Sequence, residues 1–476
     1  MNAQLQSAPA GEFRLLINGR LVEGTSTFDV INPATEELVA HCPRADLGQL
    51  NQAVAAAKAA FPAWAATPIA QRREKLLKFA DELQASLEDI ARLLTQEQGK
   101  PLAAARGELF GAIYIIRTIA GLDLPVKVLR EGDGTRIVRR HAPLGVIAAI
   151  TPWNFPVILL ATKLAPALLA GNTLVAKPAP TTPLTTLRLG EIAARVFPAG
   201  VFNVVTDVND LGQALTAHPD VAKVAFTGST ATGKKVMASA AGTVKRVTLE
   251  LGGNDAAIVL DDMDPKDAAA RLFAGSMANS GQVCMAIKRA YVPEGMYDAV
   301  CAELAKLADA AVVGNGLDEQ THFGPLQNAQ QFRKVQEYIE DARANGRIIA
   351  GGTPHKGRGY FIRPTIVRDI PDNSRLVQEE QFGPVLPVLS YRTVEDAIQR
   401  ANASEYGLAG TVWSGNADRA MEVAMKLDTG TVWINKHLDL PADVPFGGAR
   451  QSGLGAEMGQ DGLEEYTQAH IVNQAI

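Results

Sequence analysis

Cysteine is scarce in this sequence: Cys42, Cys284 and Cys301 are the only three in 476 residues. So small and odd a number excludes a disulfide-stapled scaffold and fits a reducing compartment, so a cytoplasmic setting is expected. The seven histidines are scattered, with no HExxH and no paired CxxC, so no metal site is expected. Basic charge is not in excess either. The 46 Lys and Arg against 51 Asp and Glu leave a net charge of −5 spread along the chain, which gives no nucleic-acid footprint. An unbroken apolar run of membrane-spanning length is also missing. The longest uncharged stretch, Ala142 to Thr162, is interrupted by Pro152 and Pro156 and reads as a buried strand, a loop and the start of a helix. Met1 to Gly11 lack a basic start followed by an apolar core, so no signal peptide is expected.

What is present is a chain of ordinary globular composition, 47% hydrophobic. Its length allows about three domains and several cores without staples. The first 120 or so residues read as mostly helical. Thr67 is expected to cap a helix whose first residue is Pro68, Ser86 with Asp89 suggests a variant capping box, and Gly99 is a natural stop. Residues 126–140 change character, with short β-type runs around Glu131-Gly132-Asp133-Gly134 that signal a hairpin. From residue 143 strands alternate with helices: Leu144–Ile150, a helix over Val157–Ala170, Thr173–Ala176, Val201–Val205 and Val221–Phe226. After Gly252-Gly253 the rhythm restarts with Ala256–Leu260, a helix near Ala268–Ser280, and Arg289–Val292. This pattern predicts an α/β fold with parallel sheets in two units.

Three segments carry chemical interest. Gly228-Ser229-Thr230-Ala231-Thr232-Gly233-Lys234 follows a strand and opens a helix, which suits a phosphate, although it matches neither GxGxxG nor the full P-loop and reads equally as a plain turn. Cys284 alone would be an ordinary small hydrophobe. Glu250 changes that, because a carboxylate at the end of an apolar strand is costly to bury without a task or a partner. A cysteine with a carboxylate base can run covalent chemistry, the thiolate attacking a carbonyl and the base activating water. Asn154, between two prolines, can donate to an oxyanion or cap the helix from Val157.

Together the segments resemble the aldehyde dehydrogenase superfamily. The motifs are Thr151-Pro152-Trp153-Asn154-Phe155-Pro156, Phe226-Thr227-Gly228-Ser229-Thr230, Leu249-Glu250-Leu251-Gly252-Gly253, Gly281-Gln282-Val283-Cys284, Glu379-Glu380-Gln381-Phe382-Gly383-Pro384 and Pro445-Phe446-Gly447-Gly448. They follow the family's order from Ile17-Asn18-Gly19 to the C-terminus.

The resemblance implies NAD(P)-dependent oxidation of an aldehyde to its acid. Cys284 would be the nucleophile, Asn154 and the Cys284 N–H the oxyanion donors, and Glu250 the base that releases the thioester. Trp153, Lys177, Gly228, Ser229, Leu251, Glu380 and Phe382 fall at cofactor-contacting positions, Lys177 on the adenosine ribose and Glu380 on the nicotinamide ribose. Lys163 and Glu457 match a proton relay. Many NAD-preferring relatives have an acid three residues after the lysine; here Pro180 stands there, so NAD use with NADP tolerated is expected. Phe155, Ile158, Val283, Met285 and Leu440 would meet the aldehyde's tail, favouring a medium-chain aliphatic or aromatic aldehyde. Lys436 and His437 leave semialdehydes open. Alternatives are a succinate-semialdehyde-like or CoA-acylating enzyme, or an inert protein on the same fold. The implied organisation is a Rossmann-type dinucleotide-binding domain (1–125 and 141–250), an α/β catalytic domain (251–461) and a small β extension (126–140 and 462–476). That extension would join a neighbouring subunit, giving a homodimer or homotetramer.

Overall fold

The computed structural model describes residues 12–353 and 357–476, so the expectation for Met1 to Gly11 lies outside the described residues. The chain opens with strands rather than helix: β1 (Leu15–Ile17), β2 (Arg20–Val22), β3 (Ser26–Ile31) and β4 (Leu38–Arg44). These strands are short and partly exposed, too short for a period of two to declare itself. The signal for the first pair was Asn18-Gly19, whose φ values of +54° and +73° make the tight turn between β1 and β2.

Four helices follow, α1 (Leu47–Ala66), α2 (Ile69–Ala85), α3 (Leu87–Gln98) and α4 (Leu102–Ala120). Pro68 precedes the first helical residue of α2 instead of occupying it, and the Thr67 hydroxyl donates back to Ala63 O at 2.9 Å. The capping box at Ser86 does not form. The Ser86 N–H still bonds to carbonyls of α2, so the backbone runs almost helically into α3 and the hydroxyl makes no cap bond. Gly99, at φ +97°, ends α3 in the left-handed region as expected.

The hairpin is present as β5 (Lys127–Gly132) and β6 (Thr135–Pro143), turning through Asp133 and Gly134 at φ +52° and +69°. The alternating part follows: β7 (Val146–Ile150), α5 (Pro156–Leu169), β8 (Thr173–Lys177), α6 (Leu184–Val196), β9 (Phe202–Val204), α7 (Gly212–Ala217), β10 (Val221–Thr227), α8 (Thr230–Ala241) and β11 (Arg246–Glu250). The second unit contains β12 (Asp255–Val259), α9 (Pro265–Met277), β13 (Ile287–Pro293), β14 (Arg347–Ala350), β15 (Thr365–Arg368), β16 (Val385–Tyr391), β17 (Tyr406–Gly407), β18 (Ala409–Trp413) and β19 (Thr431–Ile434). The chain closes with β20 (Ala449–Arg450), β21 (Gly453–Leu454) and β22 (Thr467–Ala475).

The first sheet runs β2-β1-β9-β8-β7-β10-β11-β21, with β9 to β11 parallel. Alternate residues of β7 feed opposite faces: Ile147 and Ala149 join one apolar core, Val146, Ala148 and Ile150 the other. Both faces are covered, as a parallel sheet requires. The second sheet, β14-β15-β16-β13-β12-β18-β19, repeats this logic, with Ala256 and Ile258 on one side of β12 and Ala257 and Val259 on the other. Residues 453–454, though late in the chain, return to the edge of the first sheet beside β11. A third sheet, β22-β6-β5, joins the C-terminal strand to the hairpin.

Two features place the site. In the first sheet β8 and β9 lie on one side of β7 and β10 and β11 on the other, so the strand order reverses between β7 and β10. A crevice opens at the carboxyl ends of strands at such a point. Residues 251–254 alone connect the carboxyl end of β11 to the amino end of β12. The amino edge of the second sheet therefore faces the carboxyl edge of the first.

Candidate active site

Successive carboxyl ends of the first sheet carry the expected groups. Asn154 follows β7, Lys177 ends β8, Gly228 and Ser229 follow β10, and Glu250 ends β11. The opposite wall comes from the loop before β13, which holds Cys284, and the loop before β16, which holds Glu380 and Phe382.

The Cys284 loop is held under strain. Asn279, Ser280 and Gly281 have φ of +48°, +55° and +72°, a left-handed run that only a well-tied loop sustains. The ties are visible: Ser280 Oγ donates to Gly324 O at 2.8 Å, and Gln327 N donates to Gln282 Oε1 at 2.9 Å. Lys288 Nζ donates to the Val283 and Cys284 carbonyls at 3.0 and 2.5 Å. Gly281 cannot be replaced, since a β-carbon there would lie 2.2 Å from Gly383 O. Cys284 itself is half-buried, whereas Cys42 and Cys301 are sealed in cores. Burial pushes the Cys284 thiol up to about 12; Lys288 opposes this, while Glu250, Glu380 and Asp255 add to it.

Asn154 does not cap α5. Its amide donates to Gln282 O at 3.0 Å, inside the cysteine loop, and a second amide hydrogen remains for another acceptor. The α5 N–H groups go instead to Glu108, whose Oε1 accepts from Val157 N at 2.9 Å and Ile158 N at 3.2 Å. Glu108 Oε2 pairs at 2.5 Å with Lys100, and Lys100 Nζ also donates to Asn154 O at 2.9 Å and sits 3.8 Å from the Phe155 ring centroid. Both side chains are fully buried. Sequence reasoning missed this pair. The available signal was Glu108 itself, three residues after Ala105 and four before Ala112, on the apolar face of α4.

Glu250 is buried, and its Oε1 has no hydrogen-bond partner among the described residues. Burial holds its carboxyl well above the usual range; Glu457 raises it further and Lys163 opposes. Those two form a buried pair at 2.6 Å, and Lys163 Nζ also donates at 2.6 Å to Thr227 Oγ1. Thr227 is the register partner of Glu250 across β10 and β11, so Lys163 and Glu457 stand directly beside it.

The remaining expected residues line both walls. Ser229 caps α8 by accepting from Thr232 N at 3.3 Å, and Gly233 lets α8 pack closely, a β-carbon there lying 2.4 Å from Leu251 Cδ2. Glu380 is pushed above the ordinary carboxylate range by burial, and its Oε1 accepts from Gly253 N at 3.0 Å. Trp153 and Phe382 meet edge-on, 5.3 Å between centroids, and Phe382 is held at φ +48° with its carbonyl accepting from Gln331 Nε2 at 2.9 Å. Ile158, Cys284, Met285 and Leu440 pack against one apolar core, with Val283 buried beside them. His437 Nε2 lies 2.9 Å from Met285 O, and burial pushes its pKa down to about 4. Lys436 turns outward and pairs with Asp439 at 2.5 Å.

A crevice at a strand-order reversal, a helix N-terminus with a small-residue turn, and a buried acid on the facing wall suit a dinucleotide. The Aldehyde dehydrogenase family profile matches residues 21–472. A mitochondrial aldehyde dehydrogenase of Leishmania tarentolae is 40% identical over 486 aligned residues, covering 99% of this chain and 97% of that protein. The glutarate-semialdehyde dehydrogenase of Pseudomonas aeruginosa is 39% identical and covers 97% of this chain and 98% of its own. The NAD+ complex of an aldehyde dehydrogenase from Bacillus cereus has a TM-score of 0.97 at 37% identity, covering 100% of this chain and 99% of that one.

Proposed function

The chain belongs to the aldehyde dehydrogenase family and is an NAD(P)-dependent aldehyde dehydrogenase; from that premise we propose that Cys284, Asn154 and Glu250 carry the reaction. The Cys284 thiol gives up its proton to solvent as its sulfur bonds to the aldehyde carbon, and the oxyanion accepts hydrogen bonds from the Asn154 amide and the Cys284 N–H. Bound NAD would supply the acceptor for the hydride that must leave the adduct carbon as the carbonyl reforms. Glu250 takes a proton from the water that attacks the resulting thioester; the C–S bond breaks, the acid departs, and sulfur is restored. Lys163 and Glu457 hold the proton that Glu250 must shed. Lys177, Gly228, Ser229 and Leu251 would hold the adenosine and pyrophosphate side of the cofactor, and Trp153, Glu380 and Phe382 its reactive end.

The observation that carries this reading is the unpartnered Glu250 oxygen on the strand end facing the Cys284 loop, near enough for its charge to raise the thiol. The test is acid formation matched to NADH, without a requirement for CoA. Thioester transfer to CoA, or silence across an aldehyde panel, would overturn it.

The tail of the aldehyde meets Phe155, Ile158, Val283, Met285 and Leu440. With Lys436 paired outward and His437 neutral, no free cation stands there for a carboxylate among the described residues. A medium-chain aliphatic or aromatic aldehyde fits best; a higher kcat/KM for succinate or glutarate semialdehyde would reverse that. The setting we propose is cytoplasmic, and no described helix is long and apolar enough to cross a membrane. We also propose a homodimer or homotetramer, because β5 is exposed along its length and Val128, Leu129, Ile471 and Val472 stand exposed on the same sheet. Light scattering on the eluted protein checks it.

A further inference from the structure

The reactive groups Cys284, Glu250 and Glu380 gather where β11 ends and β12 begins. A dinucleotide with one end there must carry its other end back along the carboxyl edge of the first sheet, past β7 to β8 and β9. Two charged side chains occupy that stretch. Lys177 is the last residue of β8, and Asp207 follows β9, which ends at Val204. They are 3% and 1% exposed. Asp207 Oδ1 lies 2.7 Å from Lys177 Nζ but makes no aligned hydrogen bond among the described residues. Asp207 Oδ2 accepts from Leu211 N at 2.9 Å, which fixes the carboxylate's orientation. The neighbouring Asp210 is taken up by Arg44 at 2.6 Å and brings no cation to spare.

We propose that Asp207 is a specificity-determining residue that disfavours a 2′-phosphate on the adenosine ribose and sets a preference for NAD over NADP. The inference rests on the NAD(P)-dependent reading above. Position 180, where an acid would be looked for, is Pro180 and offers no charge. The structure supplies a carboxylate from a neighbouring strand end instead. Its charge cancels that of Lys177, so an incoming phosphate meets no net cation and a fixed anion within a few ångströms. Ribose hydroxyls suffer neither penalty, because they can donate to the Asp207 carboxylate. The amount of NADP tolerated is thereby set at residue 207 rather than at residue 180.

The test is a binding titration of the full-length protein with ADP-ribose and with 2′-phospho-ADP-ribose, which needs no turnover. Wild type is expected to bind ADP-ribose more tightly by at least about tenfold. Asp207→Asn keeps the volume and an oxygen for Leu211 N while removing the charge. It is expected to shrink that ratio by about tenfold, with the NADP-to-NAD ratio of kcat/KM rising in step. Equal affinities in wild type, or an unchanged ratio in a folded Asp207→Asn protein, overturn the assignment of Asp207. If the variant does not fold, the wild-type ratio alone decides. If neither ligand binds wild type, the dinucleotide reading itself falls and takes the proposal with it.

Discussion

Two buried glutamates, Glu108 on α4 and Glu250 at the end of β11, differ in one respect. Glu108 is fully partnered: Lys100 takes one oxygen, and Val157 N and Ile158 N share the other. Glu250 is also buried, yet one oxygen is unmatched, and its nearest charges are a carboxylate that repels it and a lysine already paired elsewhere. The first arrangement holds the Asn154 loop and the start of α5 in place. The second leaves an oxygen free to accept a proton, as a general base needs. Full satisfaction marks a group that supports; incomplete satisfaction marks one that reacts.

The sharpest way to break this contrast is to alter the two acids separately. Glu250→Gln is expected to lower kcat by about 10²–10⁴-fold with little loss of stability. Mass spectrometry should find the acyl group retained on Cys284; a variant that still turns over normally would remove Glu250 from the chemistry. Glu108→Ala takes away the carboxylate paired with the buried Lys100, and is expected to cost about 3–5 kcal/mol in denaturant unfolding. An unchanged midpoint would show that the pair is not a support. Between these, Asn154→Ala removes one oxyanion donor and should lower kcat by about 10²–10³-fold with near-native melting. If KM rises while kcat holds, the amide binds substrate instead.

The smallest expected effect concerns pH. Burial holds the Glu97 and Asp255 carboxyls at about 7, against 4.5 and 3.8 for the free groups. Each keeps its proton in the folded chain after the unfolded chain has lost it. The stability they contribute is complete below about pH 4 and is lost as pH climbs through about 7, at no more than about 1.4 kcal/mol per pH unit for each. Glu97→Gln should flatten this decline when unfolding is compared at pH 5 and pH 7.5. An identical slope in wild type and variant would discount Glu97.

Legibility in the sequence followed the range of the interactions concerned. The strands over 146–150, 173–177 and 221–227 are largely apolar, and the turn at Asp133-Gly134 is local chemistry, so both could be read directly. The strands over 15–44 are brief and mix polar with apolar residues; only Asn18-Gly19 betrayed them. Pro68 and Ser86 were misplaced by a residue or given a bond they do not make, because the neighbouring helix ends decide their backbone. At the site, motif residues could be named, but their supports could not. Lys100, Glu108, Asp207 and Lys288 act through partners such as Asn154 O, Lys177 and Cys284 O, and no sequence spacing announces such a pairing.

Gly252 and Gly253 join the two sheets without the positive φ that usually calls for glycine. What they provide is the absence of two methyl groups. A β-carbon on the first would lie 2.5 Å from Glu380 Oε2, and one on the second 2.7 Å from Cys284 O. The gauge between the carboxylate on one loop and the sulfur-bearing backbone on another is therefore fixed by empty space at residues 252 and 253. A larger residue at 253 would press on the Cys284 backbone and one at 252 would turn the Glu380 carboxylate aside, so the fit of cofactor to thiol is adjusted at this joint and not only at the groups it brings together.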